Sequence, residues 1–179
     1  MIVGEINSSF DDYKRWVAFA LEHNPKTKFM IGLCWHKEGP TSKAKDFTEA
    51  NLKASQTLIE RVTQLRKAFP KNCITTINYG TAACELKVQF EAGKLKGDIS
   101  KMVDKKSGLF TDAFGHAGPM IKDLSALIWL KMFYGADLDK LELSRKYKTD
   151  LKATANQITK AQELSKETIK KNPKLIQMK

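Results

Sequence analysis

Apolar residues recur every three or four positions in five stretches of the chain and run almost unbroken in three short ones, and the first six of these eight alternate between the two kinds. Met1 to Ile6 reads as the end of a buried strand, with Asn7, Ser8 and Ser9 supplying an N-cap for the helix behind it. In that helix Phe10, Tyr13, Trp16, Val17, Ala20 and Leu21 form one apolar face, and Asn24-Pro25 stops it. Lys28 to Trp35 (KFMIGLCW) has the near-continuous apolarity of a parallel strand covered on both faces. From about Lys43 to Phe69 the set Phe47, Ala50, Ala54, Leu58, Val62, Leu65 and Phe69 steps along one helical face, ended by Pro70. Cys73 to Ile77 is a short β-branched strand, and Thr81 to Glu91 a helix closed by Gly93 and Gly97. A helix from Pro119 to Tyr134 is apolar on nearly every side, with Pro119 in its first turn and Gly135 as its stop, which predicts burial. Asp150 to Lys171 is a last helix with a thinner stripe of Leu151, Ala155, Ile158, Ala161, Leu164 and Ile169. This succession predicts an α/β three-layer sandwich with a short parallel sheet and right-handed crossovers, plus an extra C-terminal helix.

Composition narrows the class. At 179 residues and 42% hydrophobic content the chain can bury a core of its own. The longest apolar run, Leu124 to Tyr134, is broken by Ser125 and Lys131 and falls short of the roughly 20 residues that span a bilayer, so no membrane span is expected. Met1 to Phe10 lacks the basic and apolar regions of a secretory signal, which leaves localisation open. Cys34, Cys73 and Cys84 are odd in number without CxxC spacing, and are read as reduced core residues. Three His and three Cys without ligand spacing predict no metal site, and the glycines match no phosphate or dinucleotide fingerprint, so no cofactor is expected. Of the net charge of +11, residues 140 to 179 carry +7, from eleven Lys/Arg against four Asp/Glu. A basic helical extension over 140–179 therefore follows a domain over 1–139. Its charge would favour an anionic polymer. Its positives are mostly lysines with only Tyr147 available for stacking, so nucleic acid is not favoured over a solvated helix face.

The candidate chemistry lies in GLFTDAFGHAGP, Gly108 to Pro119, where Asp112 stands four residues before His116 in a glycine-punctuated loop. A carboxylate beside an imidazole fixes its tautomer and makes it a general base. In open α/β sheets ligands sit outside the carboxyl ends of the strands. The strand-exit loops would place His116, His36, Asp112 and Glu5 on one face, with Trp35 and Asn7. Trp35, His36 and Asn7 are accordingly the substrate-binding candidates, Trp35 as a wall for a sugar ring. Their structural readings are a Trp capping the core, an exposed loop histidine and a helix-capping residue. His23 falls where the C-terminus of the first helix accounts for it. No GxSxG elbow or Gly-Asp-Ser block supplies a nucleophile, and Cys34 and Cys84 have only residue type in their favour.

Three pieces together resemble the C-terminal two-thirds of an SGNH (GDSL-type) hydrolase, in particular its carbohydrate-esterase-like members. They are NPKTKFMIGLCW, CITTINYGTAACELKVQFEAGKLKG, and GLFTDAFGHAGP leading into LSALIWLKMFYG, covering about residues 1 to 139. The resemblance implies that His116 is the base serving a nucleophilic serine in ester cleavage, on a small-molecule or glycan ester. The family's spacing, Asp-x-x-His, would put the acid at Ala113. Either one extra loop residue still lets Asp112 reach His116, or a backbone carbonyl orients the ring instead. The family's Gly-Asp-Ser block and glycine donor would lie upstream of Met1, and Asn7 in GEIN stands at a spacing that does not match the family's Asn block. The resemblance thus implies an incomplete flavodoxin-like sheet that carries the base without the serine, is poorly active alone, and is completed by a partner segment or a second copy. A different reading remains open, a non-catalytic α/β module that binds an anionic polymer through its basic C-terminal helix.

Overall fold

A computed structural model describes residues 2–4 and 9–171, with side chains from 9 to 163. Three strands, β1 (Ile2–Gly4), β2 (Phe29–Leu33) and β3 (Ile74–Asn78), and five α-helices follow one another in the expected order. The helices are α1 (Phe10–His23), α2 (Ala44–Ala68), α3 (Thr81–Glu91), α4 (Pro119–Tyr134) and α5 (Leu151–Lys171), with a 3₁₀ turn at Leu138–Lys140 that periodicity does not foretell. The helix ends are chemically marked. Ser9 closes a capping box on α1, accepting from the Asp12 N–H at 3.2 Å while its own N–H donates to Asp12 Oδ2 at 2.9 Å. Asp150 accepts from the Ala153 N–H at 2.9 Å at the start of α5. Pro119 opens α4, and Gly135 closes it in the left-handed region at φ 63°.

The strands pair in parallel in the order β1-β2-β3, with Ile2 opposite Ile31, Gly4 opposite Leu33, Phe29 opposite Ile74 and Leu33 opposite Asn78. The chain is an α/β protein. Strand alternation sorts its apolar side chains onto two sides. Phe29, Ile31, Leu33 and Ile74 share a cluster with Tyr13 and Val17 of α1 and Leu58, Val62 and Leu65 of α2. Ile77, with Met30 at the margin, joins Ala82, Ala83 and Leu86 of α3, Met120, Leu124 and Ile128 of α4, and Leu151 and Ala155 of α5. Residues on both sides of position 140 therefore share one core. Truncating a fully enclosed member such as Ile31 or Leu124 to alanine should cost about 2–5 kcal/mol.

Several sequence expectations need correction. Trp16, assigned to the buried face of α1, is 65% exposed, because it flanks the stripe that Tyr13 and Val17 bury. The last turn of α4 is not enclosed: Leu130, Phe133 and Tyr134 face solvent, since the buried positions end at Ile128. Cys73 precedes β3 and is exposed, so it is no core residue, while Cys34 and Cys84 are half-buried. Among the described residues no helix is long and apolar enough to cross a membrane.

Candidate active site

Between α3 and α4 the chain is held by short-range pairing rather than by a strand. Phe110 is fully enclosed against Phe47 and forms isolated bridges to Val103 and Ala117. The Thr111 N–H donates to the His116 carbonyl at 2.8 Å and the Gly118 N–H to the Leu109 carbonyl at 2.9 Å. These bonds close residues 111–116 into a compact loop just ahead of α4.

Inside that loop Asp112 and His116 meet. Asp112 Oδ2 lies 2.6 Å from His116 Nδ1, while Oδ1 accepts from the backbone N–H groups of Phe114 at 3.0 Å and His116 at 3.3 Å. Of the two alternatives left by the sequence, the carboxylate is the group at the ring. The hydrogen bond from the His116 ring, helped by the backbone donors, outweighs an opposing desolvation and holds the Asp112 carboxyl below the usual carboxylate range. An ionised carboxylate can only accept, so Nδ1 carries the proton and Nε2 is the nitrogen left for proton transfer. The imidazole is 74% exposed and open to solvent for that purpose.

Tertiary contacts put this pair at the carboxyl rim of the sheet. Trp35 lies just beyond β2, and its indole N–H donates to the Gly115 carbonyl at 2.8 Å. Gly115 has φ +84°, and a Cβ there would fall 2.7 Å from the Lys37 carbonyl oxygen, so only glycine permits the approach. The exit of β3 lies alongside, where the Gly80 N–H donates to the Leu33 carbonyl at 3.0 Å. Trp35 and the Asp112/His116 loop are thus brought together as the strand-exit rule anticipates. Trp35 does so as a packed side chain, edge-on to Tyr79 with ring centres 5.8 Å apart.

The other candidates are placed differently. His36 is half-buried, its N–H donating to Asn51 Oδ1 at 2.8 Å and its ring Nδ1 accepting from the Glu38 N–H at 3.4 Å. His23 Nδ1 lies 2.9 Å from the Phe19 carbonyl on the last turn of α1, the helix-end contact expected of it. Asn7 and Glu5 lie outside the described residues. Among the described residues no Ser, Thr or Cys side chain is hydrogen-bonded to the His116 ring, and no three His, Cys, Asp or Glu residues group with the spacing of a metal site. Burial pushes the Cys84 thiol up to about 12, which keeps it protonated and unreactive at neutral pH.

Two open clefts lie elsewhere. One, of about 480 Å³, is lined by Lys94, Asp98, Lys148 and Thr154; the other, of about 650 Å³, runs along Glu91 to Ser100. Asp112 and His116 line neither. Sequence reasoning also passed over a buried cation, Lys87, paired with the solvent-accessible Glu91 3.1 Å away on α3. Its only trace in the sequence is a Lys-to-Glu spacing of four on a helix with few other polar residues. Compared with protein-family models, curated proteins and solved structures, the chain matches none.

Proposed function

We propose that the chain carries the relay half of an ester-cleaving acyl-transfer site, as the C-terminal part of an SGNH-type serine hydrolase whose nucleophile lies outside the described residues. The observation that carries the reading is the 2.6 Å contact of Asp112 with His116 Nδ1 beside the exit of β2. An imidazole so held can take a hydroxyl proton through Nε2 and return it to a leaving alcohol. The fold is compatible: strands in the order β1-β2-β3 are the order of the last three strands of a flavodoxin-like 2-1-3-4-5 sheet. With apolar clusters on both sides of the sheet, we take the architecture to be a three-layer sandwich. An ester of a small molecule or glycan is the substrate class the reading implies.

The test is p-nitrophenyl acetate hydrolysis by the purified chain. With no serine hydrogen-bonded to the His116 ring among the described residues, it should turn over slowly, and His116→Ala should bring it to the buffer rate. Fast turnover that His116→Ala leaves untouched would remove the roles assigned to this pair.

A further inference from the structure

We infer that Trp35 is a positioning residue for His116: its indole N–H fixes the peptide unit that holds Asp112 against the imidazole. The inference rests on the relay reading of the Asp112/His116 pair and adds a residue to it from the far side of the chain.

The peptide unit in question joins Gly115 to His116, and it is planar, so its two polar groups turn together. The Gly115 carbonyl accepts from Trp35 Nε1 at 2.8 Å, and the His116 N–H at the other side of the same plane donates to Asp112 Oδ1 at 3.3 Å. Rotating the carbonyl away from the indole would carry the N–H away from the carboxylate whose other oxygen engages the ring.

The remaining hydrogen bonds of 111–116 are among the loop's own residues: Thr111 N–H to His116 carbonyl, Phe114 N–H to Asp112, Gly115 N–H to Asp112 carbonyl at 3.3 Å. They shape the loop but moor it to nothing. The indole, 80 residues away in sequence, supplies the mooring.

Its own direction is set by an aromatic row. Trp35 meets Tyr79 edge-on, Tyr79 lies 5.5 Å from Trp129, and Trp129 stacks on Phe133 at 5.8 Å with 12° between planes. The Lys37 backbone also closes on Gly115, leaving no room for a Cβ. The Gly115 peptide is gripped by the indole and by that backbone. A pair as exposed as Asp112 and His116 keeps a fixed geometry only weakly by itself, because water competes for both partners. The grip replaces what burial does in an enclosed site.

The experiment reads the His116 tautomer by ¹⁵N–¹H correlation of the histidine ring nitrogens in the full chain, at mildly alkaline pH, where neutral rings dominate. Wild type should show the Nδ1–H form. Asp112→Ala should move His116 to the Nε2–H form that free histidine prefers in water, and Trp35→Phe, which keeps a ring against Tyr79 but has no donor, should move it the same way. His23 serves as the internal reference. Gly115→Ala, which pushes the same peptide off the Lys37 backbone, should give the same shift with Trp35 intact. If Trp35→Phe fails to fold, an isosteric tryptophan analogue with sulphur in place of the N–H decides the matter. A wild-type tautomer retained in the donor-free variant, with Asp112→Ala still shifting it, overturns the role of Trp35 and leaves the pair standing. A wild-type signal indifferent to Asp112→Ala overturns the pair, and the inference with it.

Discussion

Two acid–base pairs in this molecule have the same spacing of four residues and equally accessible carboxylates, but their basic members have opposite surroundings. Lys87 and Glu91 lie 3.1 Å apart on α3, with the Lys87 side chain 1% exposed; Asp112 and His116 lie 2.6 Å apart in a loop, with the imidazole largely in water. Glu91 does more than neutralise its partner. Its two oxygens accept the Ala44 N–H at 2.9 and 3.0 Å, which caps α2 where the N-cap residue, Lys43, provides no side-chain acceptor. The Lys87/Glu91 pair thus joins the end of one helix to the start of another. In the exposed pair the carboxylate bonds only within its own loop. Burial of the basic partner and a carboxylate bond to a second helix, not spacing, separate the pair that ties two helices together from the pair that is free to exchange a proton.

That contrast can be broken by mutation. Glu91→Ala should have the largest effect, because it strands a buried ammonium and uncaps α2. About 2–3 kcal/mol is expected, less than the ~3–5 for breaking a fully enclosed pair because the Glu91 side chain retains access to water. Urea unfolding measures it. If Asp112→Ala lowers the midpoint as far as Glu91→Ala does, the distinction between the two pairs collapses.

Acidification sharpens the same point. Burial opposes ionisation of Glu91, but the Ala44 N–H and then Lys87 outweigh it and hold its carboxyl below the ordinary value of 4.5. A group with a depressed folded value contributes stability that is complete above the unfolded value and disappears as pH falls through the folded one. Wild type should therefore lose stability below about pH 4.5, and Glu91→Gln should lose less over that window. Asp98, whose partial burial is outweighed by the Lys148 N–H and by Thr149, acts with the same sign in both proteins, so the difference between the two curves is the readout. Curves that run parallel would contradict the assignment.

Smaller still is the response to Lys87→Met, which removes the buried charge while keeping an unbranched apolar side chain beside Met102. Leaving Glu91 to cap α2 alone, it should stay within about 1 kcal/mol of wild type in either direction. Smallest is Asp112→Ala, which loses only bonds within an exposed loop: its thermal midpoint should fall slightly, far less than that of Glu91→Ala, even as the His116 tautomer changes.

Most of the helices and strands are legible in the alternation of apolar and polar residues, and their ends fall within a few residues of the places that pattern marks. The exposure of Trp16 and of the last turn of α4 is not. Periodicity reports that a face is apolar, but whether another element covers it depends on where the neighbouring elements stop. The candidate site is legible in its local half. Asp112 and His116 are four residues apart, and a loop closed by the Thr111–His116 bond brings them together without outside help.

What the sequence determined by itself is whatever acts within a few residues: helix periods, the capping box at Ser9, the proline and glycine that bound α4, and the proximity of Asp112 to His116. Only the tertiary structure decided that Trp35 bonds the Gly115 carbonyl and that Glu91 caps α2, contacts that span 80 and 47 residues. The physical reason is that such a contact depends on the path of all the intervening chain, which packing of the two apolar clusters settles and no local pattern encodes.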